Sequence, residues 1–196
     1  MRKDLMTGLL AVIVLTISLG VVYPLAITGI AQVVFPGKAD GSLVTVDGRA
    51  VGSSLIGQDF GGAKRYFQSR PSATEYSGDV TFFGNVGPNS VEGREEVREN
   101  LAAYIALEKP YDKGLSKDRV PVDAVTNSAS GVDPHISEAN ARIQAHRVAA
   151  VRQLPLAQVE DLIASHTDGR FLGLFGEPGV NVLELNLALD REAPVK

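Results

Sequence analysis

The chain has 196 residues, of which 44 % are hydrophobic and 21 % charged, with a formal charge of −4 and no Cys. Zero Cys excludes disulfides, thiolate metal sites and Cys nucleophiles, and the acidic balance argues against nucleic-acid binding, which needs a basic footprint. The mean hydropathy of +0.06 averages two unlike parts: Leu5 to Phe35 holds no Asp, Glu, Lys, Arg or His, and all charged residues except Arg2, Lys3 and Asp4 lie beyond it, so the remainder carries a net −5.

The apolar run, taken as one helix, is roughly 45 Å long at about 1.5 Å per residue, and a bilayer core needs only about 20 residues. Leu5 to Val22 suffices to span. Pro24 removes a backbone donor and disfavours helical geometry at Tyr23, which predicts a kink there. Tyr23 suits an interfacial anchor. The stretch beyond, with Thr28, Gly29 and Gln32, is less apolar and suits packing on protein. A buried core helix is rarely this long and apolar on every face. A cleaved signal peptide finds a small-x-small site at Gly29-Ile30-Ala31, yet its apolar core would exceed the usual 7–15 residues. An uncleaved anchor fits the length best. Arg2, Lys3 and the α-amino group precede the span closely and Lys38 and Arg49 follow it, which predicts a cytoplasmic N-terminus and an extracytoplasmic domain. The span has no charge, so it holds no ion site, and one helix makes no pore. The division is residues 1–36 as anchor, with the span at about 5–35, and 37–196 as one α+β domain.

In chain order, Phe35-Pro36-Gly37 ends the anchor and Lys38 to Ser42 links it onward. Leu43–Val46 and Arg49–Val51 flank Asp47-Gly48, a type I′ hairpin signal, and Gly52 to Ile56 extends the second strand. Tyr76 to Gly87 reads as loop. Asn89 with Glu92 forms a capping box for a helix to about Leu107, with Val97, Leu101, Tyr104 and Ile105 on one side. Val120–Val125 is a short strand candidate and Thr126–Gly131 a small polar loop. Ser137 caps a helix over Glu138–Leu154, and Pro155 opens another ending near His166. In Asn181 to Asp190, Leu183, Leu185, Leu187 and Leu189 alternate with other residues, which predicts a strand with one leucine face. The fold class is therefore α+β, a single N-terminal transmembrane helix followed by one mixed domain.

For chemistry, the chain has no Walker A, GxGxxG after a strand, HExxH or GxSxG. Asp133 and His135 supply two metal ligands without a third nearby, and because two ligands make no site a capping and turn cluster explains them better. His166, before Thr167, Asp168 and Arg170, lies where a helix ends, and the dipole alone favours it there. Arg70-Pro71-Ser72 could place a guanidinium on an anion or pack on its own loop. Ser128-Ala129-Ser130-Gly131 could nest an anion, serve a serine nucleophile, or be a tight loop of small residues. A serine site with His135 and Asp133 or Asp123 needs geometry that sequence does not supply.

The motifs resemble the C subunit of the bacterial Kdp potassium-transporting P-type ATPase, almost end to end. The resemblance rests on VVYPLAITGIAQVVFP at the end of the anchor, GSSLIGQDF from Gly52 (with Gln58), YFQSRPSA from Tyr66, VPVDAVTNSASGVDPHIS from Val120, QAHRVAAVR from Gln144, HTDGRFLG from His166 and GEPGVNVLELNLALD from Gly176. The departures are SGDVTFFGNVGPN from Ser77 and Gly179 where a basic residue is common. The resemblance implies a non-catalytic accessory subunit in the plasma membrane. Its partners would be a channel-like potassium-translocating subunit, an ATP-hydrolysing P-type subunit and a small fourth subunit. The subunit would act as a catalytic chaperone raising the ATP affinity of the hydrolysing partner, with potassium the transported ion. Candidate contacts for partner or ligand are Tyr23, Pro24, Gln58, Arg70, Ser72, Ser128, Ser130, Asp133, His135, His166 and Arg170. The alternative is a membrane-anchored extracytoplasmic enzyme or anion-binding protein with its site at Ser128–Ser130.

Overall fold

The structure is a computed structural model that describes residues 1–78, 85–87 and 89–193. The chain forms two compact units, Met1–Ser53 and the part from Ser54 onward, with the hairpin in the first.

In the first unit, α1 (Arg2–Ile17) and α2 (Tyr23–Val34) are joined by a π-helical turn at Ser18–Val22. Together they make one 33-residue apolar helix with none of its apolar window buried. Helical geometry, which Pro24 disfavours at Tyr23, nevertheless continues through that residue, with φ −62 and ψ −50. The widened turn is the reason. Tyr23 N–H donates to Ser18 O, five residues back, which shifts the hydrogen-bond ladder just before the proline that would interrupt it. A one-turn helix α3 (Pro36–Ala39) leads to β1 (Leu43–Val46) and β2 (Arg49–Ser53), antiparallel with Val46 opposite Arg49. Asp47 at φ 49 and Gly48 at φ 76 are the two left-handed residues of a type I′ turn. β2 stops at Ser53 rather than Ile56.

The second unit is mainly helical. α4 (Val91–Glu108) is capped by Ser90, whose Oγ accepts from Gly93 N–H; the expected cap was Asn89, one residue early. The part of the Tyr76–Gly87 loop over 79–84 lies outside the described residues. Val120–Val125 is not a strand: it holds a short 3-10 turn at Val122–Ala124, just after another at Lys117–Arg119. Pro121 lacks a ladder donor, and Asp123 is turned to a capping task instead. α5 (Glu138–Arg152) starts at Ser137, whose Oγ accepts from Asn140 N–H at 3.1 Å. α6 (Leu156–Ser165) follows Pro155 and ends at His166.

The expected terminal strand is a helix, α7 (Val182–Glu192), capped by Asn181 on Glu184 N–H. The alternating leucines hid a second pattern. Val182, Leu185, Asn186 and Leu189 are buried at i, i+3, i+4 and i+7, a helical stripe. The sheet is small, in the order β3-β5-β4, with β5 (Gly179–Asn181) central and antiparallel to β3 (His135–Ile136) and β4 (Thr167–Asp168). The core gathers Ala141, Ala145 and Val148 of α5, Val159 and Ile163 of α6, Leu185 and Leu189 of α7, and Phe67. Arg152 closes the C-terminus of α7, donating to Leu189 O and Ala193 O and pairing with Asp190 at 2.7 Å.

Candidate functional site

Most candidate polar residues meet where segment 66–76 crosses the loop 126–137. Arg70 Nη1 donates to Asp133 Oδ2 at 3.0 Å, and Nη2 reaches Asn127 O at 3.4 Å. Asp133 uses its other oxygen to accept from His135 N–H at 3.0 Å, and His135 Nε2 lies 3.0 Å from Asp168 Oδ2. Ser72 Oγ donates to Gly131 O and accepts from Tyr76 N–H. Ser128 and Ser130 hydroxyls bond each other at 2.9 Å. Gln58 sits beside this joint, its carbonyl accepting from Ser69 Oγ at 3.0 Å. Gly57 is required next to it, because a Cβ there would collide with Asp133 O. Tyr76 locks the crossing by donating its hydroxyl to Arg70 O at 2.6 Å; burial first, and the charge of Asp59 second, push its pKa up to about 12.

The other candidates lie apart. Tyr23 and Pro24 belong to the first unit and are exposed. His166 ends α6, where its Nδ1 donates to Leu162 O at 2.9 Å. Arg170 pairs with Glu177 at 2.8 Å in the loop between β4 and β5.

Arg70, Asp123, Asp133, His135, Asp168 and Glu177 line a cavity of about 330 Å³. One guanidinium, itself paired to a carboxylate, faces three further carboxylates there. Arg70 Nε is buried without a hydrogen-bond partner among the described residues, and it is a single donor. This wall does not fit a triphosphate, which needs several donors and net positive charge. Asp123 is committed to capping, accepting from Ser137 N–H and Oγ and from Asn140 Nδ2. The serine loop is committed as well: Ser128 N–H donates to Pro71 O, Gly131 N–H to Ser128 O and Val132 N–H to Ser130 Oγ. Among the described residues no hydrogen bond joins Ser128 or Ser130 to His135. No group of three or more His, Cys, Asp or Glu among the described residues is arranged to hold a metal.

Sequence reasoning missed the buried polar centre. Asn140, Gln144 and Arg147 lie on one face of α5, all within 1 % of complete burial. Arg147 Nε donates to Glu108 Oε1 at 2.9 Å, Nη1 to Lys64 O and to Tyr66 O, and Nη2 to Gln144 Oε1 at 2.9 Å. Gln144 also pairs with both Gln68 N–H and Gln68 O, and Asn186 of α7 does the same for Phe67. Side chains thus take the place of a neighbouring strand for segment 64–68, whose backbone groups cannot be buried unpaired. Burial pushes the Glu108 carboxyl up, while the Arg147 charge and hydrogen bonds oppose that. Tyr104, donating to Asn140 Oδ1 at 2.8 Å, has its phenol pKa raised by burial and then by the Glu108 and Asp123 charges. The signal available in the sequence was the spacing of Asn140, Gln144 and Arg147 at i, i+4 and i+7.

The chain matches the model of the family described as "K+-transporting ATPase, c chain" over residues 5–191. It is 45 % identical to the potassium-transporting ATPase KdpC subunit of Koribacter versatilis, covering all of this chain and 98 % of that protein. It is 50 % identical to that of Kineococcus radiotolerans, covering 96 % and 93 %, and 46 % identical to that of Mycobacterium bovis, covering 97 % and 100 %. The anchor-length apolar helix, the helical polar unit and the end-to-end likeness agree: the chain belongs to the KdpC family, the c chains of the K+-transporting ATPase.

Proposed function

We propose that the chain is a non-catalytic accessory subunit of an ATP-driven, high-affinity potassium uptake complex in the plasma membrane. It assembles with a channel-like potassium-translocating subunit, an ATP-hydrolysing P-type subunit and a small fourth subunit. The observation that carries this reading is the helix Arg2–Val34, uncharged beyond Asp4 and with 0 % of its apolar window buried within the chain's own fold. Such a surface needs lipid or other spanning helices as neighbours. The N-terminus is cytoplasmic and the polar unit extracytoplasmic; protease added to intact spheroplasts then digests the polar unit, and full protection would reverse the orientation.

ATP enters through the hydrolysing subunit. The acidic cavity wall around Arg70 supports an indirect route, in which this chain raises ATP affinity by holding its partners in one arrangement. The test is the KM for ATP of the potassium-dependent ATPase, measured on the complex with and without this chain. A KM that rises several-fold without the chain is expected; an unchanged KM rejects the chaperone role and leaves assembly standing. A free-standing enzyme or anion-binding protein at Ser128–Ser130 is disfavoured by the internal hydrogen bonds of that loop, and turnover or anion binding by the purified chain alone would restore it.

A further inference from the structure

The loop between β4 and β5 places four large apolar side chains in water within five residues: Phe171, Leu172, Leu174 and Phe175 are 70, 75, 76 and 63 % exposed. The loop is built, not ragged. Phe171 N–H donates to Phe175 O at 2.8 Å and Phe175 N–H to Phe171 O at 3.0 Å, while Gly173 N–H bonds Arg170 O at 2.9 Å. The Arg170–Glu177 ion pair closes its neck.

Leu172 sits at φ 54. A branched side chain is disfavoured in that left-handed region, where Gly or Asn costs less. Its side chain gains almost no burial within the fold in return. A strained residue that displays an apolar group to solvent points to a use outside the chain.

We propose that residues 171–175 form an apolar tip that inserts into the interfacial region of a lipid bilayer. This rests on the reading of Arg2–Val34 as a membrane span. Three observations choose lipid over a protein partner. No charge occurs from Phe171 to Gly176. The tip is Phe and Leu, the composition of interfacial apolar faces, and lacks the Trp, Tyr and Arg that dominate protein hot spots, where Leu is under-represented. The chain's own helix keeps a bilayer permanently near, so a weak insertion is enough to seat the polar unit.

The chain has no Trp but five Tyr, so Phe175→Trp installs a sole Trp at an exposed position, read with excitation beyond the tyrosine band. The full-length variant is placed in phosphatidylcholine vesicles, neutral because the polar unit is acidic, with and without bromine on the acyl chains. The tip proposal expects a blue shift on reconstitution and loss of emission with shallow bromination exceeding that with deep bromination. Adding Leu172→Asp should abolish both. A parallel Leu15→Trp variant reports the span. Phe175→Trp unquenched while Leu15→Trp is quenched overturns the tip alone; both unquenched overturns the span and the tip with it. A shift that needs the other subunits, or that grows with chain concentration in lipid-free detergent, assigns the tip to a protein partner or a second copy and overturns lipid insertion.

Discussion

Arg147 carries the largest electrostatic risk in the polar unit. It is 0 % exposed and has Glu108, itself 1 % exposed, as its counter-charge. A buried pair need not stabilise a fold, but removing one member leaves a charge without compensation. Glu108→Ala is therefore expected to lose about 3–5 kcal/mol in urea unfolding of the full chain in detergent. The pH dependence has a definite sign. Burial raises the folded-state pKa of Glu108 above its ordinary value of 4.5, so its contribution is present below that unfolded value and lost as pH rises through the folded value. Arg147→Met removes the charge and hydrogen bonds that hold that pKa down. The variant should lose more stability between pH 5 and pH 8 than the parent chain; equal losses would contradict the assignment. Asn186→Ala orphans Phe67 N–H and C=O and is expected to cost about 1–3 kcal/mol per group, measured the same way. None of these partners was legible beforehand. Glu108 lies 39 residues from Arg147, and nothing local in the sequence announces a pairing at that separation.

At the scale of elements, the signals that held were those with a local stereochemical cause. Asp47-Gly48 set the hairpin through two left-handed residues, and Ser137 and Pro155 marked helix starts because each changes what the first backbone groups can do. The two misread elements lacked such a cause. Val120–Val125 looked like a strand by composition, and Pro121 with the capping demand on Asp123 made it turns. The leucine alternation in α7 was a true pattern shared with a helical one, and packing against α5 and α6 decided between them. The helix makes a prediction that a strand would not. Leu185 is 0 % exposed and Leu187 only half-buried, so Leu185→Ala should cost about 2–5 kcal/mol and Leu187→Ala less than half of that. Equal costs would suit a shared leucine face on a strand. Ser137→Ala, which loses both the cap of α5 and the bond to Asp123, should cost about 0.5–2 kcal/mol. Of the candidate site, the sequence brought out most of the residues of the Arg70 joint but not their employment, because hydroxyls and amides reveal their partners only once the loops are closed.

At the scale of the whole molecule, the uneven distribution of charge is the most informative property of the chain. An uncharged run over Leu5–Phe35 and a remainder of net −5 suit different solvents, and that split was readable without any fold. The helix suits a membrane and cannot serve as an ion path alone, which agrees with membership in a family of ATPase c chains. The most direct measurement is affinity purification of the tagged full chain from its own membranes in mild detergent, beside a form lacking residues 1–35. The full chain should bring down the ATP-hydrolysing and potassium-translocating subunits in fixed stoichiometry, and the shortened form neither. Recovery of the full chain alone, or full assembly and transport with the shortened form, would contradict the account.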